Sequence, residues 1–247
     1  MNRTVRRGRL GAVGEVAASA SAGAVGWTAL EYALHRFAMH ELRGKGLASR
    51  EHLKHHADVT YFTPTSKKLL SAAVTTAGVL PVSWRVTGRR RGVAFTSGLI
   101  AMYFAYEVLH RRTHTHPPAT EYGRWMRRSH LHHHFGSPMR NFGVTTPVWD
   151  RLVGTYDEPG VVTVPRRMAP EWMVDASGAV RAAHAADYVV RGGGRPDPAL
   201  RARDHDDAFA NRAPTVDNGD HVADDAEVDD ASVTAVGGAA APDIAAL

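Results

Sequence analysis

Residues 69–84, LLSAAVTTAGVLPVSW, residues 85–92, RVTGRRRG, and residues 93–109, VAFTSGLIAMYFAYEVL, decide the fold. Two apolar runs of 16 and 17 residues flank a short basic turn. Each run falls just under the ~20 residues that carry a helix across a bilayer, and flanking residues can extend both. Gly88 and Gly92 suit a tight connection, and Pro81 is expected to kink the first helix rather than break it. The reading is a helical hairpin that crosses a membrane and returns. A soluble bundle with the same hairpin in its core is the competing reading.

The hairpin matters because of what stands at its two feet. Before it lie His35-x4-His40 and His52-x2-His55-His56; after it lie His110-x3-His114 and His130-x2-His133-His134. A chain that crosses and returns brings both sets to one face. The basic residues around them, among them Arg43, Lys45, Arg50, Lys54, Arg111 and Arg112, favour the cytoplasmic face. Twelve of the 15 histidines fall between positions 35 and 134, so the excess is concentrated where the topology converges.

The spacings suit metal. On a helix His110 and His114, four apart, can address one ion from adjacent turns. His35 and His40 are five apart, which fits either two ions or a helix distorted near its end. In each HxxHH box the first and second histidines are expected to share a face, with the third turned by roughly 100° to bridge neighbouring ions. Ten imidazoles exceed what one tetrahedral zinc accepts, and imidazole alone does not choose among zinc, copper, iron and nickel. His132 is expected to face away from the ions, His116 to sit in a loop, and His184, His205 and His221 to be solvated.

Composition narrows the rest. With no cysteine there is neither a disulfide framework nor a thiolate metal site or nucleophile. Residues 1–191 carry 26 Lys and Arg against 13 Asp and Glu, whereas residues 192–247 carry 4 against 12. The basic part suits an anionic membrane surface, and the apolar runs favour that over nucleic acid. Arg3, Arg6, Arg7 and Arg9 precede a small-residue apolar stretch that resembles a signal peptide. That stretch runs directly into Glu31 and His35, so a retained helix is expected. The expected division is a membrane domain over 1–160, a surface helical extension over 161–191 with a helix near Glu171–Arg191, and an acidic disordered tail over 192–247.

These boxes resemble those of the fatty acid hydroxylase / sterol desaturase superfamily of membrane di-iron enzymes, over about Glu31 to Tyr156. The segment from Asn141 to Tyr156, NFGVTTPVWDRLVGTY, resembles the stretch after the last box in fatty acid hydroxylases and favours that branch over carotenoid ring hydroxylases. The resemblance implies an all-α integral membrane bundle with a histidine-rich two-metal cap at the membrane surface. It implies two iron ions, with zinc as a substitute, bound by His35, His40, His52, His55, His56, His110, His114, His130, His133 and His134. Dioxygen would be the co-substrate, and electrons would come from a separate ferredoxin, cytochrome or reductase. The expected reaction is hydroxylation or desaturation of a lipid C–H bond, most simply of a fatty acyl chain. A carotenoid ring hydroxylase and a non-catalytic membrane metal-binding protein are the alternatives. Glu107, where family members often carry an acid, and Asp150 are candidates to orient ligand imidazoles from behind. The gap from His40 to His52 is shorter than in fatty acid 2-hydroxylases, and the acidic tail departs from the family pattern.

Overall fold

The structure is a computed structural model that describes residues 3–193 and 198–216. Its long helices are α1 (Arg3–Ala33), α2 (Leu47–Ala57), α3 (Thr65–Thr87), α4 (Arg89–Thr115) and α5 (Glu121–Phe135). A π-helical segment, Leu34–Glu41, continues α1 without a break. Short α6 (Val148–Val153), strands β1 (Val162–Pro165) and β2 (Tyr188–Arg191), and α7 (Pro198–Phe209) complete the order.

The apolar runs extend at both ends, as expected. α3 has 23 residues and α4 has 27, so both are long and apolar enough to cross a membrane. Gly88 alone connects them, with φ 84° and ψ 161°, a backbone region open essentially to glycine. Its N–H caps α3 by donating to the Trp84 carbonyl at 2.9 Å. On α3, Leu69, Val74 and Val82 are 54%, 64% and 63% exposed, apolar side chains left uncovered among the described residues.

α1 crosses α4 at very close range. A Cβ placed on Gly23 would stand 1.9 Å from the Phe95 carbonyl oxygen, and one on Gly98 1.9 Å from that of Ala20. Only glycine lets the two backbones meet there, the small-residue packing common where helices associate in lipid. Trp27, Leu99, Tyr103, Tyr106, Met126 and Val144 form the core beside this crossing. A second core, built on Leu131, Phe135, Val164, Met173 and Tyr188, lies under α5 and the strands. α5 contributes to both cores, Met126 to one and Leu131 and Phe135 to the other.

Three expectations need correction. The chain is mainly helical but not all-α: β1 and β2 pair in parallel with Val162 opposite Tyr188 and Val164 opposite Val190, because these β-branched and aromatic residues favour strand over helix. The helix expected over Glu171–Arg191 is replaced by turns, a 3₁₀ turn at Ala182–His184 and β2. Asp175 explains part of this, since its carboxylate takes up the Ser177 N–H at 2.8 Å and folds the chain back. Finally, α7 stands inside the region read as a disordered tail. The buried Arg167–Asp204 ion pair ties it to the segment after β1. The acidic stretch from 217 onward, with His221, lies outside the described residues.

Candidate metal centre

All ten box histidines converge, and they sort into two groups. His35, His40, His52, His56 and His133 form one; His55, His110, His114, His130 and His134 form the other. In each group the candidate ligand atoms all lie within 4.8 Å of one another. The two sets lie side by side, with the His56 and His134 rings stacked at 4.0 Å.

Helix geometry explains the sorting. Residues four apart on an α-helix are offset by only ~40° and those three apart by ~60° the other way. So His52 and His56 of α2 serve the first group while His55 turns to the second; on α5, His130 and His134 serve the second while His133 turns to the first. The middle histidine of each box, not the last, is therefore the one that crosses over, which corrects the expected pairing. His35 and His40 join one group because the π-helical i→i+5 repeat brings residues five apart into line.

The donor chemistry fits a cation. His40 Nδ1 donates to Asn211 Oδ1 at 2.9 Å, and His133 Nδ1 donates to the Arg140 carbonyl at 2.7 Å. The amide of Asn211 is fixed the right way round, since its Nδ2 donates to the His40 carbonyl at 3.0 Å. With Nδ1 protonated, each neutral ring presents a lone pair at Nε2. Yet His40 Nε2 and His133 Nε2 face each other at 3.1 Å. Two lone pairs at that range repel unless a positive charge draws them together. His35, whose Nδ1 donates to the Phe142 carbonyl at 2.5 Å, and His55, whose Nδ1 donates to the Tyr61 carbonyl at 2.7 Å, are committed in the same way. The neighbouring Nε2 atoms of the second group, His114 and His130, stand 2.9 Å apart. Nitrogens ~3 Å apart are what two ligands at ~2.1 Å from one ion and at right angles require.

Protonation is not an alternative way to relieve these contacts. Burial, followed by the repulsion of neighbouring imidazoles, holds His52, His56, His130 and His134 well below the usual histidine range. Burial likewise pushes His40 and His55 down to about 4. Neutral rings with lone pairs facing inward are the state a metal needs. Both groups thus fit iron or zinc by donor type.

The two acidic candidates act elsewhere. Asp150 touches no imidazole; it accepts from the N–H groups of Phe142 and Gly143 at 2.9 and 2.6 Å and from Thr155 Oγ1 at 2.8 Å. Since Phe142 carries the carbonyl that holds His35, Asp150 reaches the centre through the loop. Glu107 pairs with Lys68 instead of a histidine. Glu31, not singled out from sequence, grips the next part of the loop, accepting from Val144 N at 2.7 Å and from Thr145 N and Oγ1 at 2.9 and 2.6 Å. His132 stands outside both groups, 3.8 Å from Asp157, and His116 is exposed, as expected; His205 is exposed but its ring stacks on Phe209 at 4.2 Å. His184 is not simply solvated, because its ring packs edge-on against Trp172 at 5.0 Å. Asn211 and the carbonyls of Tyr61, Arg140 and Phe142 left no sequence signal.

A cavity of about 350 Å³ abuts this centre. Its walls include Trp27, Leu34, Leu70, Val74 and Phe62, and it ends on His52, His55 and His110. Two ion pairs line the same space: Lys67 with Glu51 at 2.8 Å, and Lys68 with Glu107.

Residues 20–155 match the family described as fatty acid hydroxylase. A dihydroceramide fatty acyl 2-hydroxylase of Arabidopsis thaliana is 27% identical over 143 residues, 56% of this chain and 60% of that protein. A ceramide very long chain fatty acid hydroxylase of Saccharomyces cerevisiae is 30% identical over 148 residues, 54% of this chain and 36% of that protein. A solved structure of full-length scs7p, in which only the hydroxylase domain is visible, aligns with a TM-score of 0.49 at 26% identity, covering 58% of this chain and 57% of that one. The chain therefore spans about 60% or less of the length of these relatives. With more than half of its residues matched, this chain belongs to the fatty acid hydroxylase family.

Proposed function

We propose that the chain is a membrane-embedded lipid hydroxylase that inserts one oxygen atom of O2 into a C–H bond of a fatty acyl chain. The overall change is R–H + O2 + 2 e⁻ + 2 H⁺ → R–OH + H2O, with the electrons delivered by a separate ferredoxin, cytochrome or reductase. The observation that carries this reading is the apolar cavity that ends on His52 of one histidine group and on His55 and His110 of the other. A substrate lying in it meets both groups at once.

The ten imidazoles would hold two iron ions, five donors to each. When bound, such a pair supplies the redox activation of O2 that breaking an unactivated C–H bond requires, and no side-chain acid or base can replace it. The protein's part is orientation and exclusion of water. Glu31 and Asp150 fix the 142–145 loop, whose Phe142 carbonyl sets the His35 ring. Trp27, Leu34 and Val74 offer a dry wall for an acyl chain, and the uncovered face of α3 suits its arrival from the bilayer. The Lys67–Glu51 and Lys68–Glu107 pairs line the same cavity and can address a polar headgroup. α3 and α4 would span the bilayer, with the histidines on the cytoplasmic face. The acyl hydroxylases among its relatives favour an acyl substrate over a carotenoid ring.

The test is O2 uptake and lipid mass spectrometry on the iron-loaded chain in detergent, given reductant and ceramide or free fatty acid. Oxygen consumption matched by a hydroxylated acyl product is expected. Full metal loading without product would favour a non-catalytic metal-binding protein.

A further inference from the structure

The family match ends at residue 155, yet a side chain 56 positions later reaches the metal centre. Asn211, just beyond α7, meets His40 with both ends of its amide: Oδ1 accepts from His40 Nδ1 at 2.9 Å, and Nδ2 donates to the His40 carbonyl at 3.0 Å. Its backbone is left-handed, with φ 55°, a conformation that asparagine adopts more readily than other residues with a side chain. Several bonds hold this corner in place. Arg167 pairs with Asp204 inside α7 and donates to the Thr215 carbonyl at 2.9 Å; Arg212 pairs with Asp207 at 2.9 Å. On the other side, Phe209 lies so close to Gly44, at φ 83°, that a Cβ there would come within 2.7 Å of its ring. The α7 corner is thus built against the π-helical segment that carries His40.

Resting on the two-ion reading, we propose that Asn211 is a positioning residue that fixes the His40 tautomer and so governs retention of the ion in the His35, His40, His52, His56 and His133 group. Nδ1–H held on an acceptor leaves Nε2 permanently free to donate its lone pair, and outer partners of this kind commonly alter metal affinity by 10–100-fold. Asn211 bonds to His40 and to no histidine of the second group among the described residues, so the effect is expected at one of the two ions. Part of the metal centre is therefore supplied by a segment outside the family match.

The experiment uses the full chain in detergent, loaded with cobalt(II) or iron(II) without oxygen, and follows metal transfer to a chromophoric chelator. In Asn211→Ala, one ion is expected to leave roughly 10–100-fold faster while the other leaves at the wild-type rate. Asn211→Asp keeps an acceptor for His40 Nδ1, so its release is expected to be no faster than wild type. That second variant decides the matter if Asn211→Ala does not fold: faster release from Asn211→Asp overturns the proposal. So does unchanged release, or equal acceleration of both ions, in a folded Asn211→Ala. A wild-type chain that retains no ions overturns the two-ion reading together with this one; a wild type with two ions and an indifferent Asn211→Ala overturns only this one.

Discussion

Replacing Asp150 by Ala should destabilise the protein more than its distance from any histidine suggests. Three donors converge on this carboxylate: the N–H groups of Phe142 and Gly143 and the Thr155 hydroxyl. Thr155 keeps a second partner, the Tyr32 hydroxyl at 3.1 Å, but the two amides are buried and have no alternative. Each buried N–H left unmet costs about 1–3 kcal/mol, so the pair gives about 2–6 kcal/mol. Burial pushes the Asp150 carboxyl up, which means that desolvating the charge offsets part of what the bonds contribute. The cost of the variant therefore comes from the stranded amides rather than from the lost charge. Asp150→Asn, which retains one acceptor oxygen, should strand one amide and cost about half as much. At about 2–4 °C per kcal/mol for a chain of this size, thermal unfolding in detergent should show Asp150→Ala melting roughly 4–24 °C below wild type, with Asp150→Asn between them. Because the Phe142 carbonyl orients His35, the folded variant should also hold metal less tightly in the His35 group. A melting point within about 1 °C of wild type for Asp150→Ala would refute the argument that this carboxylate pins the loop.

Other outcomes can be checked alongside. His133→Ala and His114→Ala should each lower metal content toward one ion per chain and abolish turnover, whereas His116→Ala, at an exposed ring outside both groups, should leave both unchanged. Gly98→Leu should drive α1 from α4, because its side chain would start 1.9 Å from the Ala20 carbonyl, and cost at least about 1–3 kcal/mol in a melting experiment. Acid should weaken both fold and metal binding. Burial holds His40 and His55 down to about 4 in the folded chain, while unfolded histidine takes up protons near 6.5. The unfolded state therefore binds protons first, so stability is full above about pH 6.5 and falls as pH drops toward 4; unfolding of the metal-free chain across that range should trace it.

The hairpin and the histidine boxes were legible because both rest on local pattern: apolar runs close to membrane length, and histidines at helical spacing. The partition of each HxxHH box also follows from spacing, because residues four apart lie closer in angle than residues three apart; which group each pair joins depends on how α2 and α5 face one another. The five-residue interval of His35 and His40 was readable as a distortion, and the π-helical segment is its form. Glu107 and Asp150 were acids near the right place, but Lys68 captures one and the 142–145 loop the other. The partners that do orient imidazoles are mostly backbone carbonyls, which every residue owns and no sequence advertises. Asn211 was hidden differently. Composition suggested a tail too polar to order, and what orders α7 is a long-range pairing of Arg167 with Asp204 and the fit of Phe209 on Gly44.

The central claim is that two sets of five imidazoles each enclose one iron. Anomalous diffraction at the iron edge, on crystals of the iron-loaded chain, tests it most directly. Two peaks are predicted, one among His35, His40, His52, His56 and His133 and one among His55, His110, His114, His130 and His134. A single peak, or iron bound outside both groups, would contradict the account.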